Sequence, residues 1–260
     1  MSVWNKYDAK YTRSTDRRNN LLKKEQRFLR SKLPDNLSYH SLLINGEDRS
    51  AAVINSDNYD IKTLCSLPGE DLPHGGTVLW MNNYWLITER DANNEVYTRC
   101  KMRQCNYLLR WIAEDGTIQE RWCIAEDGTK YLTGEYGDNY FILNRGDTRL
   151  ALTITKDEYT LKLKRENRFL IDDYGSDTVL AYRLTKPLKL GGSYDSTGVL
   201  FFVMTECNTE DDDNLDLHIA NYYRYFPRET EDEDGSSVSG TPEGQVSSEN
   251  TEKAENGGWI

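Results

Sequence analysis

Short apolar runs separated by turn-forming residues constrain the fold of this chain more than any other feature. Between Tyr39 and Phe226 the runs are rich in Val, Ile, Leu, Tyr and Trp, and they are bounded by Gly, Asn, Asp and Pro. Such runs are typical of β-strands, and their recurrence at roughly ten-residue intervals is typical of a sandwich or barrel. The sequence therefore predicts a mostly β protein, with a hairpin turn at Asn82-Asn83 inside TVLWMNNYWLITE.

A repeated phrase lies in the middle of this region, where Arg110 to Thr129 reads RWIAEDGTIQERWCIAEDGT. A calcium loop needs several oxygen ligands at fixed spacing, and neither copy of AEDGT has that spacing. Two short copies are also too few for a solenoid array. Because Asp-Gly favours a turn and glycine tolerates the left-handed conformation, we expect two similar turns, each following a strand.

Charge divides the 260-residue chain into blocks. Residues 1–33 carry ten Lys/Arg and three Asp/Glu, whereas residues 227–260 carry two and nine. The last block has too little apolar side chain to offset the entropy of ordering it, so we expect a flexible acidic tail. The sequence thus predicts four parts: a basic helical arm at 1–33, a β module at 34–128, a second β module at 129–226, and the tail at 227–260.

The basic arm contains one helical segment, which Pro34 ends. Its cations, interleaved upstream with Trp4, Tyr7 and Tyr11, suit three interpretations: docking on an acidic protein surface, contact with nucleic-acid phosphates, or a solvated helix. The acidic body of the chain argues against ordinary duplex binding, because its field repels DNA. We predict that the arm binds a protein partner through Arg13, Arg17, Arg18, Lys23, Lys24, Arg27 and Arg30.

The sequence contains no familiar catalytic or metal-site motif. None of His40, His74 and His218 belongs to an H-E-x-x-H pattern, and nucleophile-elbow and P-loop motifs are missing. The densest acidic cluster, Glu210 to Asp216, suits a solvated turn or a divalent-cation site. A glycosidase-like carboxylate pair stays open, because no two carboxylates stand out among so many. We predict a protein that is not an enzyme and holds no cofactor.

Cysteine usage and hydropathy bear on the compartment. The start MSVWNKYDAK lacks the apolar stretch of a secretory signal, and no apolar run approaches the ~20 residues that span a bilayer. We therefore expect no membrane contact, and thiols that are reduced and mostly buried. The five thiols belong to Cys65, Cys100, Cys105, Cys123 and Cys207.

Two segments together resemble a known family. YDIKTLCSLPGEDLPHGGTVLWMNNYWLITERDANNEVYTRCKMRQCNYLLRWI is similar to a β module of tailed-phage proteins that act at the neck, between portal and tail; the likeness rests on the GTVLW…YWLIT hairpin and the CNYLLRWI strand. ENRFLIDD…LAYRLT…TGVLFFVMTE…DDDNLDLHIANYY resembles the Ig-like module often appended to such proteins. The resemblance covers most of residues 55–226. It implies an Ig-like sandwich for the second β module.

The resemblance also implies a function. The protein would be a non-enzymatic virion component, made in the host cytoplasm, that connects or closes the phage head at the portal or neck. Its partners would be the portal or other neck and tail proteins, copies of itself in a ring, and, in passing, viral DNA. In such a ring the basic arm of one subunit would meet the acidic surface of the next.

Two features leave other interpretations open. Trp80, Trp85, Trp111 and Trp122 would form a platform if the chain were instead a carbohydrate- or surface-binding β module, although tryptophans in a strand-rich protein are more often in the core. Trp259-Ile260, at the end of the acidic tail, is either a peg for a partner or a chance apolar pair.

Overall fold

The computed structural model of the chain describes residues 17–91, 93–127, 149–172, 178–188 and 197–228. Nearly half of these residues are in strands and few are in helices, so the protein is mostly β, as the sequence predicts, and an N-terminal helix precedes the strands. The described residues up to Pro227 belong to one compact unit. The helices in this part of the chain are α1 (Arg17–Lys32), α2 (Glu158–Lys162) and α3 (Tyr222–Tyr225).

The first β module is a closed antiparallel barrel with the strand order β1-β2-β3-β6-β5-β4. Its strands are β1 (Tyr39–Ile44), β2 (Glu47–Asn55), β3 (Ile61–Cys65), β4 (Thr77–Trp80), β5 (Asn83–Arg90) and β6 (Arg99–Gln104). Pairing of Ile44 with Val78 closes the barrel between β1 and β4. Alternate side chains along the strands point inward, so Ile44, Val78, Ile87 and Met102 are almost wholly buried in one core.

The predicted hairpin joins β4 to β5, one residue earlier than expected. Its turn residues are Met81 and Asn82, with φ angles of 49° and 59°, and Asn83 is the first residue of β5. Two consecutive left-handed residues are the geometry of a tight hairpin turn that matches the strand twist. Asn82 suits this conformation well, whereas Met81 adopts it because the register on both sides is fixed by barrel pairing.

The second β module is a six-stranded antiparallel sheet with the strand order β10-β11-β12-β9-β8-β7. Its strands are β7 (Tyr107–Ile112), β8 (Ile118–Asp127), β9 (Arg149–Thr155), β10 (Arg168–Asp172), β11 (Val179–Leu188) and β12 (Val199–Cys207). The end strands β7 and β10 approach each other, and the hydroxyl of Tyr107 donates to the carbonyl of Leu170 at 3.3 Å. The module is therefore barrel-like, whereas an Ig-like sandwich divides its strands between two facing sheets.

The change from the barrel to the second sheet falls between Gln104 and Tyr107, earlier than the predicted boundary after residue 128. β7 and β8 look like a continuation of the first module because they follow β6 after only two residues. They join the second sheet because β8 pairs with β9. Turn-forming residues thus indicate where the hairpins of this chain lie, but they do not indicate where one sheet ends and the next begins.

The first copy of AEDGT forms the β7–β8 turn, as predicted. Gly116 has a φ of 80°, and the carboxylate of Asp115 accepts a hydrogen bond from the backbone N–H of Thr117 at 3.0 Å. In the second copy, residues 125–127 are the last residues of β8. The turn predicted at residues 128 and 129 lies outside the described residues.

The two modules share a packed junction. The ring of Tyr84 on β5 stacks on Trp122 of β8, with centroids 4.4 Å apart. Beside them, Arg103 of β6 makes a bidentate pair with Glu126 of β8 at 3.1 and 2.6 Å. Stacked rings and a bidentate guanidinium–carboxylate pair both fix orientation as well as distance. The barrel and the second sheet are therefore held at a defined angle.

Candidate interaction surfaces

Helix α1 lies on the outside of the barrel and is attached mainly by polar contacts. Arg18 pairs with Glu95 at 2.7 Å, and the amide of Gln26 donates to the Glu95 carbonyl at 3.0 Å. Arg30 donates twice to the carbonyl of Pro68, at 3.2 and 2.9 Å. The helix has no buried residue, and Leu22 and Leu29 are only half-buried. The helix is thus an attachment to the barrel rather than part of its core.

A different side of α1 exposes two large apolar residues. Leu21 is 53% and Phe28 is 59% exposed. They are seven residues apart, so they lie on the same side of the helix about two turns apart, and Arg17 and Lys24 share that side. We call Arg17, Leu21, Lys24 and Phe28 the exposed helix face. An apolar pair surrounded by cations suits a partner that offers apolar side chains within an acidic rim.

The seven predicted partner-binding residues divide into three groups. Arg18 and Arg30 hold α1 on the barrel, so their guanidinium groups already make contacts within the chain. Arg13 lies outside the described residues. The remaining four are exposed on α1, and in the described part of the chain no ion pair joins them to a neighbour: Arg17, Lys23, Lys24 and Arg27. The sequence did not separate these roles, because spacing alone does not show which cations face the barrel.

A second surface is built by the residues that follow β12, and a buried ion pair anchors it. The guanidinium of Arg168 on β10 donates to both carboxylate oxygens of Asp213, at 3.1 and 2.7 Å, and to the carbonyl of Asn208 at 2.9 Å. The side chains of Arg168 and Asp213 are 6% and 0% exposed. Burial alone would lower the pKa of Arg168, but the hydrogen bonds to Asp213 and Cys207 and the charges of Asp213 and Glu210 together raise it.

Asp213 also organises the backbone of residues 208–221. Its carboxylate accepts hydrogen bonds from the backbone N–H groups of Glu210 and Asn221, at 2.8 and 2.9 Å. One carboxylate therefore closes an irregular loop onto β10, where Ala220 packs against Leu170. The sequence analysis did not predict this role of Asp213. The signal that could have found it is an acidic run after one strand together with a lone arginine in the strand RFLID.

Arginines compensate the acidic cluster at Glu210–Asp216. Arg224 on α3 pairs with Asp212 at 2.6 Å and with Glu210 at 3.0 Å, while Asp213 is committed to Arg168. No group of three or more His, Cys, Asp or Glu residues in the described ranges is arranged to hold a metal ion. The loop is thus a charge-paired structural turn, which develops the predicted solvated turn.

The same loop, the end of α3 and the β7–β8 hairpin all expose large apolar side chains. Leu215, Leu217, Tyr225 and Phe226 are 47, 40, 48 and 38% exposed, and Ile118 on β8 is 44% exposed. We call these five residues the C-terminal patch. Soluble proteins seldom expose this many large apolar side chains along one short segment unless a partner covers them.

The tryptophans do not form the platform that a glycan-binding interpretation requires. Trp85 and Trp111 are each 4% exposed and lie in the cores of different modules, while half-buried Trp80 packs on the barrel core. Trp122 lies in the junction, stacked on Tyr84. The four rings belong to three separate clusters because each lies on a strand whose neighbours determine its side. The core interpretation, which the sequence favours, is therefore confirmed for Trp85 and Trp111, whereas Trp80 and Trp122 are partly buried.

The three histidines lie apart from one another. His74 is bonded through Nε2 to the carbonyl of Thr88 at 3.0 Å, and the ring of His40 packs near Trp80 with centroids 5.6 Å apart. Nδ1 of His218 lies 3.9 Å from a carboxylate oxygen of Asp172. Each histidine thus has a local structural contact of its own.

The cysteines are free, and four of them are buried, as predicted. Burial raises the pKa of the Cys105 thiol to about 12. It raises the pKa of Cys100 to about 12 as well, although the charge of Arg90 opposes it. Because the thiolate is the reactive form, thiols with such pKa values are protonated and unreactive near neutral pH.

We therefore expect one fast-reacting thiol in the native protein. Cys207 is the only cysteine that is partly exposed, so it should react with an aromatic disulfide reagent first. The other four should react only after unfolding, which a thiol titration with and without denaturant measures, followed by peptide mapping. Rapid native-state labelling of Cys100 or Cys105 would contradict the buried placement.

No protein-family model matches the chain, and no curated protein and no solved structure matches it. In the part of the chain that the structure describes, none of the helices is both long enough and apolar enough to cross a membrane.

Proposed function

We propose that this protein is a non-enzymatic structural component of a tailed-phage virion, which connects or closes the head at the portal or neck. The observation that carries the proposal is the exposed helix face, which pairs Leu21 and Phe28 with cations on a helix fixed to the barrel. A fixed helix loses little conformational freedom when a partner binds. The proposed partners are the portal or other neck and tail proteins and copies of the same chain.

The tandem arrangement of the modules also supports a connecting role. A connector holds two neighbouring proteins at a fixed relative position, so its own modules need a defined mutual orientation. Stacking of Tyr84 on Trp122 and the bidentate pair of Arg103 with Glu126 supply that orientation. Direct docking on nucleic acid is less favoured, because the whole chain carries a net charge of −11 and its field repels phosphates.

Incorporation into particles tests the role of the helix. We expect the double charge reversal Arg17→Glu and Lys24→Glu to lower the amount of the protein in purified particles at least about ten-fold, because the exposed helix face then repels the acidic rim proposed for the partner. Quantitative mass spectrometry of particles measures this, with circular dichroism of the purified variant as the check on folding.

The matched control keeps the charge and changes the residues. Arg17→Lys and Lys24→Arg should leave incorporation unchanged, because an exposed electrostatic contact depends mainly on charge. Full incorporation of the reversed variant would remove the helix from the proposal. Full incorporation of a chain without residues 1–33 would do so independently.

A further inference from the structure

We propose that the exposed helix face binds the C-terminal patch of a second copy of this chain. The inference rests on the proposed function, because it names the neighbour of each subunit in an assembly. It stands on two surfaces of one chain that complement each other in charge and in apolar content. Leu21 and Phe28 supply the apolar side chains of the first surface, and Leu215 and Leu217 supply those of the second.

The C-terminal patch is continuous across the loop and the hairpin. Arg110 on β7 donates to the carbonyl of Leu217 at 3.5 Å and pairs with Glu120 on β8 at 2.8 Å. Glu120 and Ile118 are two residues apart on β8, so they share one side of the strand. At the end of the same hairpin, the ring of Tyr225 lies beside Gly116. Loop and hairpin therefore present their apolar side chains together.

Charge distinguishes the two surfaces. Residues 17–32 contain seven Lys/Arg and one Asp/Glu, whereas residues 208–226 contain one arginine and five acids, three of which pair with Arg168 or Arg224. Within that second segment Asp216 is exposed and next to Leu215 and Leu217, so a carboxylate lies among the apolar side chains. Lys24, between Leu21 and Phe28 on the helix face, is a cation in the corresponding position. Such an arrangement steers encounter and fixes register.

The proposed contact is heterologous. Each copy uses the helix face toward one neighbour and the C-terminal patch toward another. An open series of copies therefore has an unpaired helix face at one end and an unpaired patch at the other. A closed ring satisfies all the surfaces, whereas an open series forms a filament. The inference therefore predicts association that continues beyond a dimer.

Sedimentation velocity of the purified full chain tests this, at concentrations up to about 100 µM. The wild type should associate with increasing concentration. Phe28→Glu on the helix face and Leu215→Lys on the patch should each weaken association at least about 30-fold, because each replaces an apolar contact with a repelled charge. The matched control is Tyr59→Glu, since Tyr59 is 90% exposed on the barrel and outside both surfaces, and this variant should associate like the wild type.

Mixing the two defective variants is the sharpest arm of the test. The intact patch of the Phe28→Glu copy and the intact helix face of the Leu215→Lys copy still match, so the mixture should form one-to-one dimers that grow no further. A wild type that stays monomeric overturns the proposal. So does association that survives either substitution, or a mixture that stays monomeric.

The outcome is separable from the proposed function. Association in solution without incorporation into particles would keep this contact and remove the virion role. Incorporation into particles by a strictly monomeric protein would keep the role and remove this contact.

Discussion

Replacing Asp213 with alanine is expected to lower the free energy of unfolding by about 3 to 5 kcal/mol, which is a fall of roughly 10 °C in melting temperature. The substitution removes the buried carboxylate that pairs with Arg168 and leaves the guanidinium only the part-exposed carboxylate of Glu210, at 3.1 Å. It also removes the acceptor of the backbone N–H groups of Glu210 and Asn221. Urea and thermal unfolding measure the loss, and sedimentation of the variant should show weaker association because the loop carries the C-terminal patch.

Asp212→Ala is the matched control for this substitution. Asp212 belongs to the same loop and pairs with Arg224 at 2.6 Å, but both side chains are about half-exposed. An exposed ion pair contributes less than about 1 kcal/mol, so this variant should unfold close to the wild type. Equal losses for the two variants would show that Asp213 does not anchor the loop.

Gly75→Ala should have the second large effect, a loss of about 3 kcal/mol in unfolding free energy. Gly75 has a φ of 79°, and a Cβ there would overlap the backbone carbonyl of Gly198. Gly198 precedes β12, so the barrel and the second sheet meet backbone to backbone at this point. The hydroxyl of Thr155 donates to the carbonyl of Gly75 at 2.7 Å beside the contact, which leaves little room for adjustment.

Gly46→Ala separates the clash from the backbone strain. Gly46 has a similar φ of 82°, but a Cβ there has nothing within 4 Å. Its replacement should cost about 1 kcal/mol, the price of a left-handed non-glycine residue alone. Thermal unfolding of both variants gives the difference, and equal effects would contradict the close approach of Gly75 and Gly198.

Local patterns in the sequence predicted much of the secondary structure. Alternating apolar residues identify β9, a continuous apolar run identifies β12, and paired asparagines locate the β4–β5 hairpin to within one residue. Pro34 places the end of α1 within two residues. These features are local, so the periodicity and turn preferences of adjacent residues are enough to predict them.

Long-range pairings were beyond the sequence. The change of sheet after Gln104 depends on β8 choosing β9 as its partner, and no local signal encodes that choice. The pair of Arg168 with Asp213 joins residues 45 positions apart, so the acidic run alone predicts a turn, with a metal site as the alternative, and does not reveal the arginine. The sequence also does not show which side of α1 faces the barrel. Leu21 and Leu22 are adjacent and chemically alike, but Leu22 is half-buried and Leu21 is exposed.

The most direct test of the central proposal is quantitative mass spectrometry of purified particles from a culture that produces this protein. The copy number would be measured relative to the capsid protein. We predict that the protein is present in the particles at about a dozen copies, a number that is consistent with a closed ring. Its absence from purified particles would contradict the connector function.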